Sequence, residues 1–112
     1  MGLKFKSNKS TTFEDVRAYL DELKSANVIE FYFNDISKVL NFLGVEELPS
    51  KGGSAIRFRH EILKRHPHYY DGIFTIHVVH KGGDQRVVKK NDFKTYMLPA
   101  LIQIIELLDK KK

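Results

Sequence analysis

The chain has 112 residues, 42% of them apolar, and a formal net charge of +5. That length fits a single domain, and the apolar fraction is too high for a disordered chain. Cysteine is absent, which excludes disulfides and thiolate metal ligands and favours a reducing cytoplasm. No apolar run approaches the roughly 20 residues that cross a bilayer, so we expect no membrane partner. The excess of Lys and Arg favours polyanions such as RNA.

The first predicted helix runs from about residue 12 to residue 25, where apolar side chains recur at helical spacing. Thr11 and Thr12 are both N-cap candidates, since each is followed three residues later by an acidic side chain, as in a capping box. Residues 1–10 are rich in Lys and Ser and are predicted to be a flexible basic N-terminus. The folded domain is therefore expected to begin at residue 11.

A second helix is predicted after a short apolar stretch at residues 28–33, which is either a brief strand or a buried connector. Asn34 and Asp35 are predicted to cap this helix, and Gly44 is predicted to end it in the left-handed conformation. Residues 46–53 contain Pro and Gly-Gly and are predicted to be a loop, with a short edge strand at its start as the alternative.

Two segments of period two predict strands at residues 54–61 and 73–79. A hairpin loop at residues 63–71 joins them, and a turn at residues 81–84 leads to a third short strand at residues 86–88. In the first strand one face carries Ile56, Phe58 and His60, and the other carries Ala55, Arg57 and Arg59. In the second, one face carries Phe74, Ile76 and Val78, and the other carries Thr75, His77 and Val79. His60 is thereby expected to be buried among apolar neighbours.

The last predicted helix carries an apolar stripe over residues 98–108, with Pro99 in its first turn because proline lacks an N–H group. Residues 91–96 are predicted to form a separate helical turn. Seven apolar positions are more than one helix face needs, so the stripe also suggests a protein contact. The whole indicates one α+β domain at residues 11–109, with helices on one face of a small antiparallel sheet and a basic tail at 110–112.

The cationic and imidazole side chains on the two strands suggest that they bind a phosphodiester. His77 is predicted on the same face as Arg57 and Arg59, on the neighbouring strand. Histidine suits both proton-transfer steps of metal-free RNA cleavage, because its pKa of about 6.5 lies near neutrality. We therefore assign acid/base catalysis to His77, with Arg57, Arg59 and Lys81 as phosphate ligands. The alternative is that His77 is an ordinary half-exposed strand residue.

His80, at the end of the same strand, is the second catalytic candidate, with a solvated loop histidine as the alternative. Lys51 and Ser54 flank the Gly-Gly pair and are further candidates for phosphate contact, although Ser54 is also a natural turn residue. Tyr69 and Tyr70 are interpreted either as a packed loop or as a platform for an unpaired base.

Four histidines of the hairpin segment do not predict a metal site. His66 and His68 lie on a loop, whereas His77 and His80 lie on a strand, and zinc usually takes three or four ligands from one fixed framework. No cofactor is predicted either.

The ordered set of these segments resembles the HicA family of small bacterial toxins. The resemblance covers residues 34–109, and it is carried by residues 36–44, 51–58, 76–82 and 103–108, including Gly-Ser, the His-x-x-His strand end and the basic turn. It implies a double-stranded-RNA-binding-domain-like fold, α-β-β-β-α, preceded here by an extra N-terminal helix. It also implies cytoplasmic cleavage of mRNA, held in check by a HicB-type antitoxin protein.

Ala55 stands where the family carries its catalytic histidine, directly after Gly-Ser. The downstream histidine of the family corresponds to His80, and a subgroup without the first histidine carries a pair at the positions of His77 and His80. Three interpretations therefore remain: an mRNA-cleaving toxin, a degenerate RNA-binding or protein-interaction module, and a purely structural or partner-binding domain. The chain is expected to be a monomer or a homodimer.

Overall fold

The computed structural model describes residues 10–49, 55–80 and 85–110. The helices and strands are α1 (Phe13–Ser25), β1 (Glu30–Tyr32), α2 (Phe33–Leu43), β2 (Glu46–Glu47), β3 (Ala55–Arg59), β4 (Ile73–His77), β5 (Val79–His80), β6 (Arg86–Lys89), α3 (Lys90–Asp92) and α4 (Leu98–Lys110). Two 3₁₀ turns, Glu61–Arg65 and Tyr70–Gly72, join β3 to β4, and a π-helical turn, Phe93–Met97, joins α3 to α4. The predicted α+β class is confirmed.

The strands form two small antiparallel sheets that share one stretch of chain. One sheet has the order β2-β3-β4, and the other has the order β1-β6-β5. Only Val78 separates β4 from β5, and its side chain is fully buried. The single strand predicted at residues 73–79 is therefore broken at Val78, and its two parts pair with different neighbours.

The faces of β3 and β4 alternate as the period of two predicts. Ile56, Phe58, Phe74 and Ile76 are buried in the same core as the helices, whereas Ala55, Arg57, Thr75 and His77 are exposed. Phe58 stacks between Phe33 and Phe74, with ring centroids 5.9 and 5.4 Å apart. The helices thus cover one face of these strands, and among the described residues no helix covers the other.

Helix α1 belongs to the same core rather than forming an appended arm. The capping box is made by Thr12 and Asp15, so the structure selects Thr12 of the two predicted caps. Val16, Leu20 and Leu23 are buried, and α1 packs on α4. None of the described helices has the length and apolar character that a membrane-spanning helix needs.

The start of α2 differs from the prediction. The helix begins at Phe33, and the preceding Tyr32 is extended and makes no side-chain capping bond, so Asn34 and Asp35 are not its caps. The reason is that β1 runs straight into α2, which places the Phe33 ring in the core. Gly44 ends the helix at φ 80°, as predicted.

The C-terminal helical segment begins earlier than the apolar stripe indicated. Lys90 starts α3, and the π-helical turn leads directly into α4, in which Pro99 is the second residue. The N–H of Leu98 donates to the carbonyl of Phe93, five residues back, so the turn just before the proline holds one residue more than an α-helical turn. Leu101, Ile104 and Ile105 are buried as predicted, whereas Ile102 is 40% exposed.

Candidate functional site

The exposed face of β3 and β4 is set by their register. Ala55 lies opposite His77, Arg57 lies opposite Thr75, and Arg59 lies opposite Ile73. Directly opposed Cβ atoms in an antiparallel pair are about 5 Å apart, and diagonal neighbours about 7 Å. His77 is therefore the cross-strand neighbour of Ala55 and the diagonal neighbour of Arg57, on the shared face that the sequence predicted.

A cleft of about 440 Å³ lies along β4 beside this face. Its walls come from β4, from the loop that precedes β4, and from the π-helical turn, which packs on β4. The lining residues are His68, Tyr69, Ile73, Phe74, Thr75, His77, Thr95 and Tyr96. The lining is thus aromatic and hydroxyl-bearing, with two imidazoles, and we call it the β4 cleft.

A second cleft, of about 530 Å³, adjoins the first along the side chains of His68 and Tyr69. Its other lining residues are His66, Leu98, Pro99, Ile102 and Gln103, and we call it the α4 cleft. The His66 ring lies 5.1 Å from the His68 ring and 5.2 Å from the Tyr69 ring, centroid to centroid. His68 and Tyr69 form the wall between the two clefts, and the His66 ring packs against both on the α4-cleft side.

Hydrogen bonds fix parts of this wall. Nδ1 of His66 accepts from the backbone N–H of His68 at 3.2 Å, which leaves Nε2 to carry the proton of the neutral ring. Burial raises the pKa of Tyr69, so its phenol keeps its proton beyond the ordinary pKa of about 10. At neutral pH the Tyr69 hydroxyl therefore remains a hydrogen-bond donor.

The two arginines of β3 differ in their surroundings. Arg57 is exposed and donates one bond, at 3.3 Å, to the backbone carbonyl of Pro49. Arg59 lies 3.9 Å from a carboxylate oxygen of Glu61 and 3.8 Å from one of Asp71, and it also donates to the Asp71 carbonyl. The charge of Arg59 is therefore balanced locally, which makes Arg57 the better-placed cation for an anionic ligand.

His80 does not line the β4 cleft. It lies on β5, exposed, opposite Arg86 of β6. Arg86 lies 3.6 Å from a carboxylate oxygen of Glu47 and covers the Phe33 ring at 4.3 Å. Hence the two predicted catalytic histidines belong to different sheets, and the structure groups His77 with His68 instead.

His60 is a structural histidine just beyond the end of β3. Nε2 donates to the carbonyl of Leu43 at 2.8 Å, and Nδ1 accepts from the backbone N–H of Ile62 at 3.0 Å. These two bonds define the tautomer of the neutral ring and join α2 to the first 3₁₀ turn. The ring is half-buried rather than enclosed among Ile56 and Phe58 as the alternation suggested.

Three of the predicted phosphate ligands, Lys51, Ser54 and Lys81, lie outside the described residues. Within the described ranges, no three or more His, Cys, Asp or Glu side chains are grouped to hold a metal ion. Tyr96 and Thr95 are site residues that the sequence did not identify. The sequence signal that could have indicated them is Pro99, just after the aromatic turn Phe93–Met97, because proline disfavours a regular helix there.

Comparisons with protein-family models, with curated proteins and with solved structures gave no match for this chain. The chemistry of the site therefore rests on its own residues: imidazoles for proton transfer, a guanidinium for an anion, and aromatic rings for a planar ligand.

Proposed function

We propose that this chain is a HicA-like toxin component that binds RNA and cleaves mRNA without a metal, with His77 as the acid/base group. The observation that carries the proposal is the pairing of Ala55 with His77 across β3 and β4. A histidine at either position presents its imidazole to the same patch of the exposed face. His77 thus supplies the group that the family's Gly-Ser-His segment supplies and that Ala55 lacks.

The proposed cleavage is a transesterification. An imidazole takes the proton of the ribose 2′-OH, O2′ attacks phosphorus, and the P–O5′ bond breaks while a second acid protonates O5′. The products are a 2′,3′-cyclic phosphate and a 5′-hydroxyl. The Arg57 guanidinium, diagonal to His77, stabilises the charge that develops on the phosphoryl oxygens. His80, the other catalytic candidate of the sequence, is the proposed second acid.

The order of elements also supports the proposal. Between α2 and α4 the chain forms β2, β3, β4, β5 and β6, followed by the short α3. With the two-residue β2 and the short α3 set aside and β4 and β5 counted as one strand broken at Val78, the order is α-β-β-β-α. This is the order of the double-stranded-RNA-binding-like fold that the resemblance implies, and we propose that fold for residues 34–109. Cytoplasmic action and control by a HicB-type antitoxin complete the proposal.

The test is incubation of the purified chain with a long single-stranded mRNA in EDTA, followed on a denaturing gel. We expect fragments with cyclic phosphate ends from the parent chain and none from His77→Ala. His80→Ala, tested in parallel, decides whether His80 takes part. Ile29→Ala is the matched control, because Ile29 is 83% exposed and lines neither cleft.

A double variant makes the test sharper. If Ala55 and His77 serve one patch, adding Ala55→His to His77→Ala restores cleavage that His77→Ala alone has lost. Cleavage by His77→Ala at the parental rate would contradict the assignment.

A second function has its own supporting observation. Ala55 is exposed and offers no proton-transfer group, and Arg59 is already paired with carboxylates. A degenerate module that binds RNA, or a protein, on the same face is the alternative. Intact RNA with every variant, together with a measurable RNA affinity, would favour it.

A further inference from the structure

The β4 cleft has no charged wall. Among its lining residues, all within the part of the chain that the structure describes, there is no Lys, Arg, Asp or Glu. A phosphate would gain little there, because phosphate recognition relies on cationic side chains or clustered backbone N–H groups. The lining consists instead of two tyrosine rings, two imidazoles, two threonine hydroxyls and apolar groups, which suits a planar, neutral, hydrogen-bonding ligand.

Two described cations adjoin lining residues of the cleft without lining it themselves. Arg57 is opposite the lining residue Thr75, and Lys94 immediately precedes the lining residues Thr95 and Tyr96. Both Arg57 and Lys94 are exposed. A ligand with a planar apolar ring and an anionic group a few ångströms away would match this arrangement. A nucleotide has that shape, with its base as the ring and its phosphate as the anion.

We propose that the β4 cleft binds one unpaired nucleobase of a single-stranded RNA, stacked on Tyr96 and Tyr69 and hydrogen-bonded by His68, Thr75 and Thr95. The proposal rests on the proposed RNA-binding function and names its substrate class. The cleft volume of about 440 Å³ lies within the range of roughly 300–1,000 Å³ typical of small-ligand pockets. The RNA strand then continues into the α4 cleft, across the shared wall of His68 and Tyr69.

Duplex RNA does not fit this site. Its bases are stacked and paired, so their faces and Watson–Crick edges are not accessible to aromatic side chains. The exposed Arg57 contacts the phosphate backbone of either form, whereas the cleft distinguishes them. Base preference therefore comes from the cleft, and general affinity comes from the adjoining cations.

The experiment measures binding of a short 2′-O-methyl oligonucleotide, which lacks the attacking hydroxyl, by fluorescence anisotropy. The same sequence is offered single-stranded and annealed to its complement. We expect the single strand to bind at least about tenfold more tightly, because the base enters the cleft only when unpaired. Tyr96→Ala should weaken single-strand binding by about fivefold or more, the lower end of stacking contributions.

Two matched variants keep the result interpretable. Tyr96→Phe retains the ring and should bind within about twofold of the parent chain. Ile29→Ala truncates a large apolar side chain that is 83% exposed and lines neither cleft, and should leave affinity unchanged. Since Tyr96 is itself 53% exposed, its truncation is not expected to unfold the chain, and circular dichroism checks this.

The experiment distinguishes a failure of the base-binding cleft from a failure of the proposed RNA-binding function. Equal binding of single strand and duplex, or unchanged binding by Tyr96→Ala, would overturn the base-binding cleft while leaving RNA binding in place. Absence of binding to either RNA would overturn both the cleft and the proposed function.

Discussion

Gly72 has little freedom to change. It lies at φ 74°, directly after Asp71 at φ 55°, and together they turn the chain into β4. A Cβ atom at position 72 would lie 2.4 Å from the carbonyl oxygen of His60, and the N–H of His60 already donates to the carbonyl of Gly72. The side of the hairpin that carries the β4 cleft is thus held by a backbone contact that only glycine allows.

Gly72→Ala should therefore destabilise the protein by more than about 2 kcal/mol, since left-handed strain alone costs about 1–2 kcal/mol and the backbone clash adds to it. Gly44→Ala is the matched control. Gly44 also has positive φ, but its added Cβ would meet only the His60 Nε2 atom at an ordinary 3.6 Å. Urea unfolding of both variants measures the difference, and equal losses would contradict the steric argument.

Asp71 also lowers the positive charge beside the exposed face of β3 and β4, where we propose that RNA binds. Its carboxylate lies 3.8 Å from both Arg59 and Lys64, so two cations share one anion. Asp71→Asn removes that anion and keeps a residue that tolerates positive φ. We expect RNA to bind more tightly, because Arg59 then keeps only the Glu61 carboxylate, at 3.9 Å, and is more accessible to phosphate.

The control for Asp71→Asn is Asp21→Asn on α1, which changes the net charge equally but on the helix layer. Anisotropy at one fixed salt concentration compares the two variants. A similar gain from Asp21→Asn would show that net charge, rather than the release of Arg59, is responsible.

At the scale of elements, α1 is part of the folding unit. Leu23 is 1% exposed, and Val16 and Leu20 beside it are equally enclosed. Leu23→Ala should cost about 2–5 kcal/mol of unfolding free energy, as deletions of buried leucine side chains do. Lys24→Ala, one residue further and exposed, should change it by less than about 0.5 kcal/mol. If both variants unfolded like the parent chain, α1 would be an appendage.

Tyr19, on the same helix, makes the stability of the folded protein depend on pH. Burial, with a further contribution from the charges of Asp35 and Glu22, raises the pKa of Tyr19 above its ordinary value of about 10. The folded state therefore holds its proton where the unfolded state has lost it, so stability is complete below pH 10 and falls as pH rises beyond it. Tyr19→Phe should flatten that decline in denaturant midpoints measured from pH 8 to 11. An unchanged decline would show that another group causes the loss of stability at alkaline pH.

The spacing of apolar residues correctly predicted those helices and strands whose apolar faces pack into the core. α1, the α2 face with its Gly44 stop, and the alternation in β3 and β4 all followed from local sequence. The direct passage from β1 into α2 did not, because Phe33 enters the helix to fill the core, and burial there outweighs capping by Asn34.

The candidate site was predictable only in part, for a similar reason. His77 and Arg57 share a face because a strand has period two, so sequence alone groups them. Tyr69 and Tyr96 come together only because the π-helical turn packs on β4, a contact between distant segments that no local pattern encodes.

The positive charge of the protein is concentrated in one part of the chain. The segment from residue 50 to residue 96 carries ten of the 19 Lys and Arg but only four of the 14 Asp and Glu, so the remaining residues are close to neutral. That segment contains β3 and β4, whose exposed face we propose as the RNA-binding surface, whereas α1 carries four acidic and two basic residues. The charge distribution thus favours one binding orientation.

The salt dependence of binding tests this orientation. Each phosphate contact on a single strand contributes a slope of about −0.7 to the logarithm of affinity against the logarithm of salt concentration. Arg57→Gln should therefore make the slope less negative by about 0.7, whereas Lys24→Gln, an equal charge change on α1, should leave it unaltered. Anisotropy titrations over a range of KCl concentrations measure both slopes. If Lys24→Gln shifted the slope as much as Arg57→Gln, RNA would be held by the overall charge of the molecule, and the exposed face of β3 and β4 would lose its claim to be the binding surface.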